Sequence, residues 1–149
     1  MENRFLYRGK RSDNGEWIIG SLLVDKQQDI ETGEQIEIIG IYPSEYKDFA
    51  KKIDPSTICQ CTGLKDKNGN LIWENDIVKD KNGNLYKAFW QDNYYQFSWI
   101  CIKSNSLPVG AKWDFYSIRS FEIEVIGNVF DNPELLEVGE WQRMKHLNI

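Results

Sequence analysis

Few residues in this chain have the types and spacing that chemistry needs. His146 is the only histidine. A Ser-His-Asp or Cys-His arrangement would have to pass through it, near the end of the sequence. Its plainer reading is an exposed tail residue. Cys59 and Cys61 form a C-x-C pair. Residues two apart on a strand share a face, so the pair can present two thiolates to a metal. A four-ligand zinc site would then need Cys101 and His146. The alternative is that the cysteines are small buried hydrophobes.

Carboxylates are also paired at this spacing. Glu74 with Asp76, and Glu122 with Glu124, can hold Mg²⁺ or divide acid and base roles in a metal-assisted hydrolase. The alternation Glu122-Ile123-Glu124-Val125 equally describes the solvent face of an amphipathic strand. Neither a G-x-G-x-x-G loop nor a P-loop lysine signature occurs. The expectation is no catalytic residue, no metal and no cofactor.

An imperfect repeat stands out. Asp66-Lys67-Asn68-Gly69-Asn70-Leu71 is echoed fourteen residues later by Asp80-Lys81-Asn82-Gly83-Asn84-Leu85. Its D-x-N-x-N opening is that of a calcium loop, but the glycine position and the missing terminal Glu do not fit one. The pattern predicts two Asn-Gly hairpin turns of type I′.

Aromatics crowd residues 86–103, with Tyr86, Phe89, Trp90, Tyr94, Tyr95, Phe97 and Trp99. Residues 79–103 carry four lysines against two aspartates, net +2, while residues 1–78 and 104–149 carry −4 and −3. Exposed rings with interleaved lysines can stack and hold a single strand of nucleic acid, here through Lys87, Trp90, Tyr94 and Tyr95. Core packing accounts for about half of such rings in a small β domain. Tyr94 and Tyr95 are adjacent in a predicted turn, so one of them should face solvent.

The elements that must position these groups are mostly strands. The chain has 149 residues, 41% hydrophobic and 13% aromatic, with net charge −5. It is too apolar to be disordered. Its acidic balance opposes generic duplex binding, which needs clustered positive charge. The N-terminus lacks an apolar leader, and no run approaches the ~18–20 residues of a membrane helix. A cytoplasmic protein without membrane attachment is expected, and the odd cysteine count fits that placement.

Turn signals at Asn14-Gly15, Thr32-Gly33, Asn68-Gly69 and Asn82-Gly83 separate strand-like runs. Strands are predicted at 4–10, 17–24, 35–42, 71–73, 76–79, 86–90, 96–103 and 122–128. In the third run, Ile36 and Ile38 change phase with Ile39 and Ile41, which signals a bulge or burial on both faces. Residues 44–53 show helical spacing of Tyr46, Phe49, Ala50 and Ile53, and residues 132–137 read as a capped helical turn opened by Pro133. No linker divides the chain. The fold class predicted is mainly β, a small barrel-like (SH3-like) domain with long N-terminal hairpins and one or two short helices. One domain is expected over 1–149, with a hairpin subregion at 1–54, a barrel-like core at 55–138 and a tail at 139–149.

Residues 58–78 then carry a family resemblance. The segment holds Gln-x-Thr-Gly-Leu-x-Asp-x-x-Gly at Gln60, Thr62, Gly63, Leu64, Asp66 and Gly69. It continues with Glu74-Asn75-Asp76-Ile77-Val78, where the usual pattern is Glu-Gly-Asp-Ile-Val. This resembles the YopX family. Asn75 replaces a glycine there and predicts a positive φ. Residues 124–136 and the Gly15-x-Trp17…Gly20 segment fit the same family. The resemblance implies an all-β, barrel-like protein of bacteriophages and prophages. It implies no biochemical activity and transfers no catalytic residue. The motif residues themselves read as turn and strand signals.

These observations together predict a phage or prophage accessory protein that binds a phage or host protein in the bacterial cytoplasm, with a homo-oligomer as one form of that binding. Nucleic acid is the second choice of partner.

Overall fold

The computed structural model describes residues 3–44 and 49–137. Eleven strands account for its regular structure: β1 Tyr7–Lys10, β2 Trp17–Gln28, β3 Gln35–Pro43, β4 Lys51–Lys52, β5 Cys59–Lys65, β6 Leu71–Trp73, β7 Asp76–Lys79, β8 Leu85–Gln91, β9 Gln96–Lys103, β10 Lys112–Asp114 and β11 Glu124–Asn128. All helical segments among the described residues are single 3₁₀ turns. The protein is therefore mainly β, with two antiparallel sheets in the orders β4-β3-β2-β1-β5-β6 and β10-β9-β8-β7-β11.

The expected helix at 44–53 does not form where it can be followed. Residues 45–48 lie outside the described residues, and Lys51–Lys52 is a strand paired with Gly40 and Ile41. Pairing to an available edge outweighs weak helical periodicity in so short a segment. Residues 133–136 do make a helical turn with Pro133 in its first position, but it is 3₁₀ and lacks a side-chain cap.

The chain divides into two compact units, Met1–Cys61 and Thr62–Ile149. In the first, β2 and β3 pair without interruption from Gly20↔Pro43 to Gln28↔Gln35. The unbroken register excludes a bulge, so the phase change at Ile38-Ile39 reflects two-sided burial near the base. There Ile41, Ile53, Cys59 and Cys61 are buried. Gly20 is required at this base: an added Cβ would lie 1.8 Å from the Tyr42 carbonyl oxygen. Beyond it, β1 covers only Trp17–Gly20 of β2, and β4 covers only Gly40 and Ile41 of β3. The rest of the hairpin extends as a two-stranded arm with Leu23, Val24 and Ile36 exposed.

The second unit centres its apolar burial on the five-stranded sheet, joined by Ile72 of β6 and by Ile123. Ile72, Val78, Tyr86, Ala88, Trp99, Cys101 and Ile123 form its core, with Trp113 and Phe115 packed alongside. Trp99 is fully buried, packs against Phe115 with ring centroids 4.3 Å apart at a 32° tilt, and donates its indole N–H to the Ile118 carbonyl at 3.2 Å. Burial of large rings is the main stabilising term in a unit of this size.

Candidate functional site

The site begins with strand parity. On β8, Tyr86 and Ala88 face the core and Trp90 continues that face. Lys87, three residues from Trp90, lies on the opposite face. It neighbours Ile77 and Ile100 across the ladder. The chain thus separates the lysine from the ring it was grouped with. Trp90 is 40% exposed and makes an edge contact with Phe97 at 5.1 Å.

The β8–β9 connection is a 3₁₀ turn over Asp92–Tyr94, closed by Tyr95 in the left-handed region at φ 52°. Both tyrosines project outward, Tyr94 at 68% and Tyr95 at 83% exposure. A bulky residue with positive φ is uncommon and stores strain. Beside the turn, Gln91, Tyr94, Gln96, Lys112, Trp113 and Asp114 line an open groove of about 470 Å³. Its polar floor is ordered: Ser98 Oγ donates to Gln91 Oε1 at 2.9 Å and accepts from Gln96 Nε2 at 3.2 Å. Asp114 accepts from the Ser117 hydroxyl and amide at 2.7 and 2.8 Å. Those bonds hold its carboxyl below the usual range. The groove therefore carries one cation and one anion, together with amides and an aromatic rim.

Of the groove residues, motif reading found only Tyr94 and missed Gln91, Gln96 and the whole of β10, Lys112–Asp114. β10 spans three residues, too short to show periodicity, and only its pairing of Trp113 with Trp99 reveals it. A second, more apolar groove of about 440 Å³ is lined by Leu64, Phe115, Tyr116, Arg119, Ser120 and Phe121.

The motif residues act as turn and ladder devices. Gln60 Nε2 donates to the Arg4 carbonyl, and Thr62 Oγ1 donates to the Ile72 carbonyl while accepting from the Leu64 amide. Gly63 and Asn75 adopt positive φ, and the Asp76 carboxylate accepts from the Trp73 amide at 2.8 Å. Asp76 is 1% exposed, whereas its neighbour Glu74 is half-buried. Glu122 ends a 3₁₀ turn and Glu124 begins β11, so the second carboxylate pair does not share a strand. Glu124 instead pairs with Lys67 at 3.4 Å.

The repeated loops are also structural. In each copy the leading Asp accepts from two backbone amides through Oδ1, those of Asn68 and Asn70 for Asp66, and of Asn82 and Asn84 for Asp80. Within these two loops only Gly69 and Gly83 have positive φ, at 82° and 81°, so neither turn is type I′. They are three-residue loops in which a type I turn is followed by a left-handed glycine. The bonds Gly69 N–H to Asp66 O and Asp66 N–H to Asn70 O close the first, and their counterparts close the second.

The second carboxylate oxygens differ. Asp66 accepts from Val125 N–H at 2.9 Å, and Asp80 accepts from the Tyr86 hydroxyl at 3.0 Å. Burial opposes ionisation of both, but these hydrogen bonds outweigh it and keep both carboxyls below the usual range. Burial, with Asp80 beside it, pushes the Tyr86 hydroxyl upward.

All three cysteines are buried and outside any disulfide. The Cys59 thiol donates to the Thr57 carbonyl at 3.3 Å. His146 lies outside the described residues. Among the described residues no group of three or more His, Cys, Asp or Glu is placed to hold a metal ion. No helix among them is long and apolar enough to cross a membrane.

Comparison with known proteins adds the family. The chain is similar to a solved structure, the crystal structure of protein EF1440 from Enterococcus faecalis, at 24% identity and a TM-score of 0.46, covering 88% of this chain and 96% of that one. Comparison with curated proteins gives no match. The family model described as YopX protein matches residues 6–137. Matched over most of its length, and with the motif residues of 60–78 arranged as turns and ladder bonds, the chain belongs to the YopX family.

Proposed function

We propose that the protein is a phage- or prophage-encoded accessory protein that works in the cytoplasm of an infected or lysogenic bacterium by binding another protein. The observation that carries this reading is the joint exposure of Tyr94 and Tyr95, at 68% and 83%, beside an ordered polar groove. Tyrosine and tryptophan are enriched in the energetic centres of protein interfaces, where a ring is buried and a hydroxyl or amide is matched. Strain at Tyr95 supports a role for that side chain, because glycine would serve the turn better.

The balance of charge favours a protein over a single-stranded nucleic acid. Lys112 and Asp114 offset each other in the groove, and Lys87 is on the face opposite Trp90, so among the described residues no cation row tracks the rings. Backbone phosphates need such a row. The barrel-like, SH3-like, single-domain architecture belongs to this reading too, supported by the short strands and tight turns of residues 55–138.

The test is affinity capture with tagged protein from phage-infected host lysate, compared with the Tyr94→Ser/Tyr95→Ser double variant. A specific protein retained by the wild type and lost from the variant is the expected result. Tight, salt-sensitive binding of an oligonucleotide that the variant loses would transfer the surface to nucleic acid.

A further inference from the structure

We propose that the β2–β3 arm is a self-association device, which joins two copies of the chain by antiparallel pairing of their β2 edges around a two-fold axis. This goes beyond the tyrosine surface and does not depend on it.

The backbone defines the available edge. Asp29 N–H donates to Glu34 O and Ser44 N–H donates to Ile19 O, so the odd-numbered β2 residues make the β2–β3 ladder bonds. Bonded and non-bonded pairs alternate in an antiparallel ladder. The amides and carbonyls of Leu22, Val24, Lys26 and Gln28 therefore point away from β3. Among the described residues, β1 ends its pairing at Gly20, and no strand pairs with this edge beyond it. β3 offers a shorter edge, because β4 pairs with Gly40 and Ile41 and Ile53 N–H reaches Ile39 O. An isolated two-stranded ribbon is marginally stable in water, and an open edge readily accepts another strand.

Charge identifies a second copy as the occupant. Residues 25–37 carry Asp25, Asp29, Glu31, Glu34 and Glu37 against Lys26 alone, net −4. Residues 3–16, at the other end of the same unit, carry Arg4, Arg8, Lys10 and Arg11 against Glu16 and Asp13, the last of which already pairs with Arg11, and are net +2. Antiparallel pairing of two identical arms brings each acidic tip to the other copy's basic base. A two-fold axis makes this opposite-charge approach twice.

The register follows from like charges. Outward-pointing backbone groups must oppose one another, and the longest overlap of the open edge, residues 21–28, then leaves Val24↔Val24 or Asp25↔Asp25 at the centre. Two carboxylates directly opposite are destabilising, so Val24 takes the axis. Each Leu22 then lies opposite the other copy's Lys26, whose methylene stem covers Val24. Gln27 lies opposite Ser21, the last position before β1. The turn beyond it reaches the neighbour's Asn3–Phe5 segment. There Ile30, fully exposed at the tip, meets Phe5, exposed by 59%, and Glu31 meets Arg4.

Sedimentation equilibrium of the full chain tests this. The wild type is expected to be a dimer whose dissociation constant rises severalfold between 0.05 and 0.5 M NaCl, as screening weakens the tip contacts. Val24→Pro, which removes an amide that β3 does not use, should weaken the dimer at least tenfold. As a check independent of that variant's folding, Val24→Cys should form a disulfide-linked dimer under mild oxidation. Gln27→Cys should not, because its two copies would sit six residues, about 20 Å, apart along the ladder. A monomeric wild type, a dimer unaffected by Val24→Pro, or equal cross-linking at positions 24 and 27 would overturn the proposal.

Discussion

The β8–β9 and β2–β3 hairpins use the same antiparallel pairing and meet solvent differently. β8 and β9 are flanked by β7 and β10, and their inner face carries Tyr86, Ala88, Trp99 and Cys101, all buried. β2 and β3 hold nine consecutive pairs, yet among the described residues no strand flanks the outer half of their length, which leaves apolar side chains exposed. Regular pairing is therefore a poor guide to what stabilises a hairpin. One is fixed by its neighbours and presents only its turn, where Tyr94 and Tyr95 sit. The other presents an edge.

Core truncation breaks this comparison most strongly. Trp99→Ala should cost about 3–5 kcal/mol, read as a lower denaturant midpoint. Ile36→Ala on the arm should stay within about 0.5 kcal/mol. Similar losses at both positions would mean that the arm is buried in solution. Next in size is Asp66→Ala, which strands the amides of Asn68, Asn70 and Val125 and should cost about 2–3 kcal/mol. Lys67→Ala, which breaks only an exposed ion pair, should cost less than about 1 kcal/mol.

Acid should act through the same loops. Asp66 and Asp80 titrate below the ordinary 3.8 when folded, so their stabilising contribution is complete above that pH. It is lost as the pH falls through the lower folded values. A urea midpoint that is flat above pH 5 and drops below pH 4 is expected, with a shallower drop in Asp66→Asn and Asp80→Asn.

The smallest effect should come at the presented turn. Tyr95→Gly relieves a left-handed tyrosine and should raise stability by about 0.5–1 kcal/mol while weakening partner capture. A loss of stability there would make Tyr95 a packing residue.

Much of this was legible in the sequence where local chemistry dominates. The strands at 71–73, 76–79 and 96–103 lie where alternation and turn residues put them, and Asn75 has the positive φ expected of a glycine substitute. The separation of Lys87 from Trp90 was legible too, since an odd spacing on a strand means opposite faces. Other features depend on distant partners. Lys51–Lys52 is a strand because β3 offers Gly40 and Ile41, and β10 exists because β9 offers an edge to Trp113. Asn68 and Asn82 keep negative φ because each leading aspartate ties down a larger loop than the Asn-Gly pair implied.

The central claim is that Tyr94 and Tyr95 form the energetic centre of a protein-binding surface. The most direct measurement is the affinity of the captured partner for wild type, Tyr94→Ser/Tyr95→Ser and Tyr95→Gly, with folding monitored in parallel. The prediction is at least a tenfold loss of affinity in both variants with the fold intact, corresponding to about 1.4 kcal/mol or more. Unchanged affinity in both variants would contradict it.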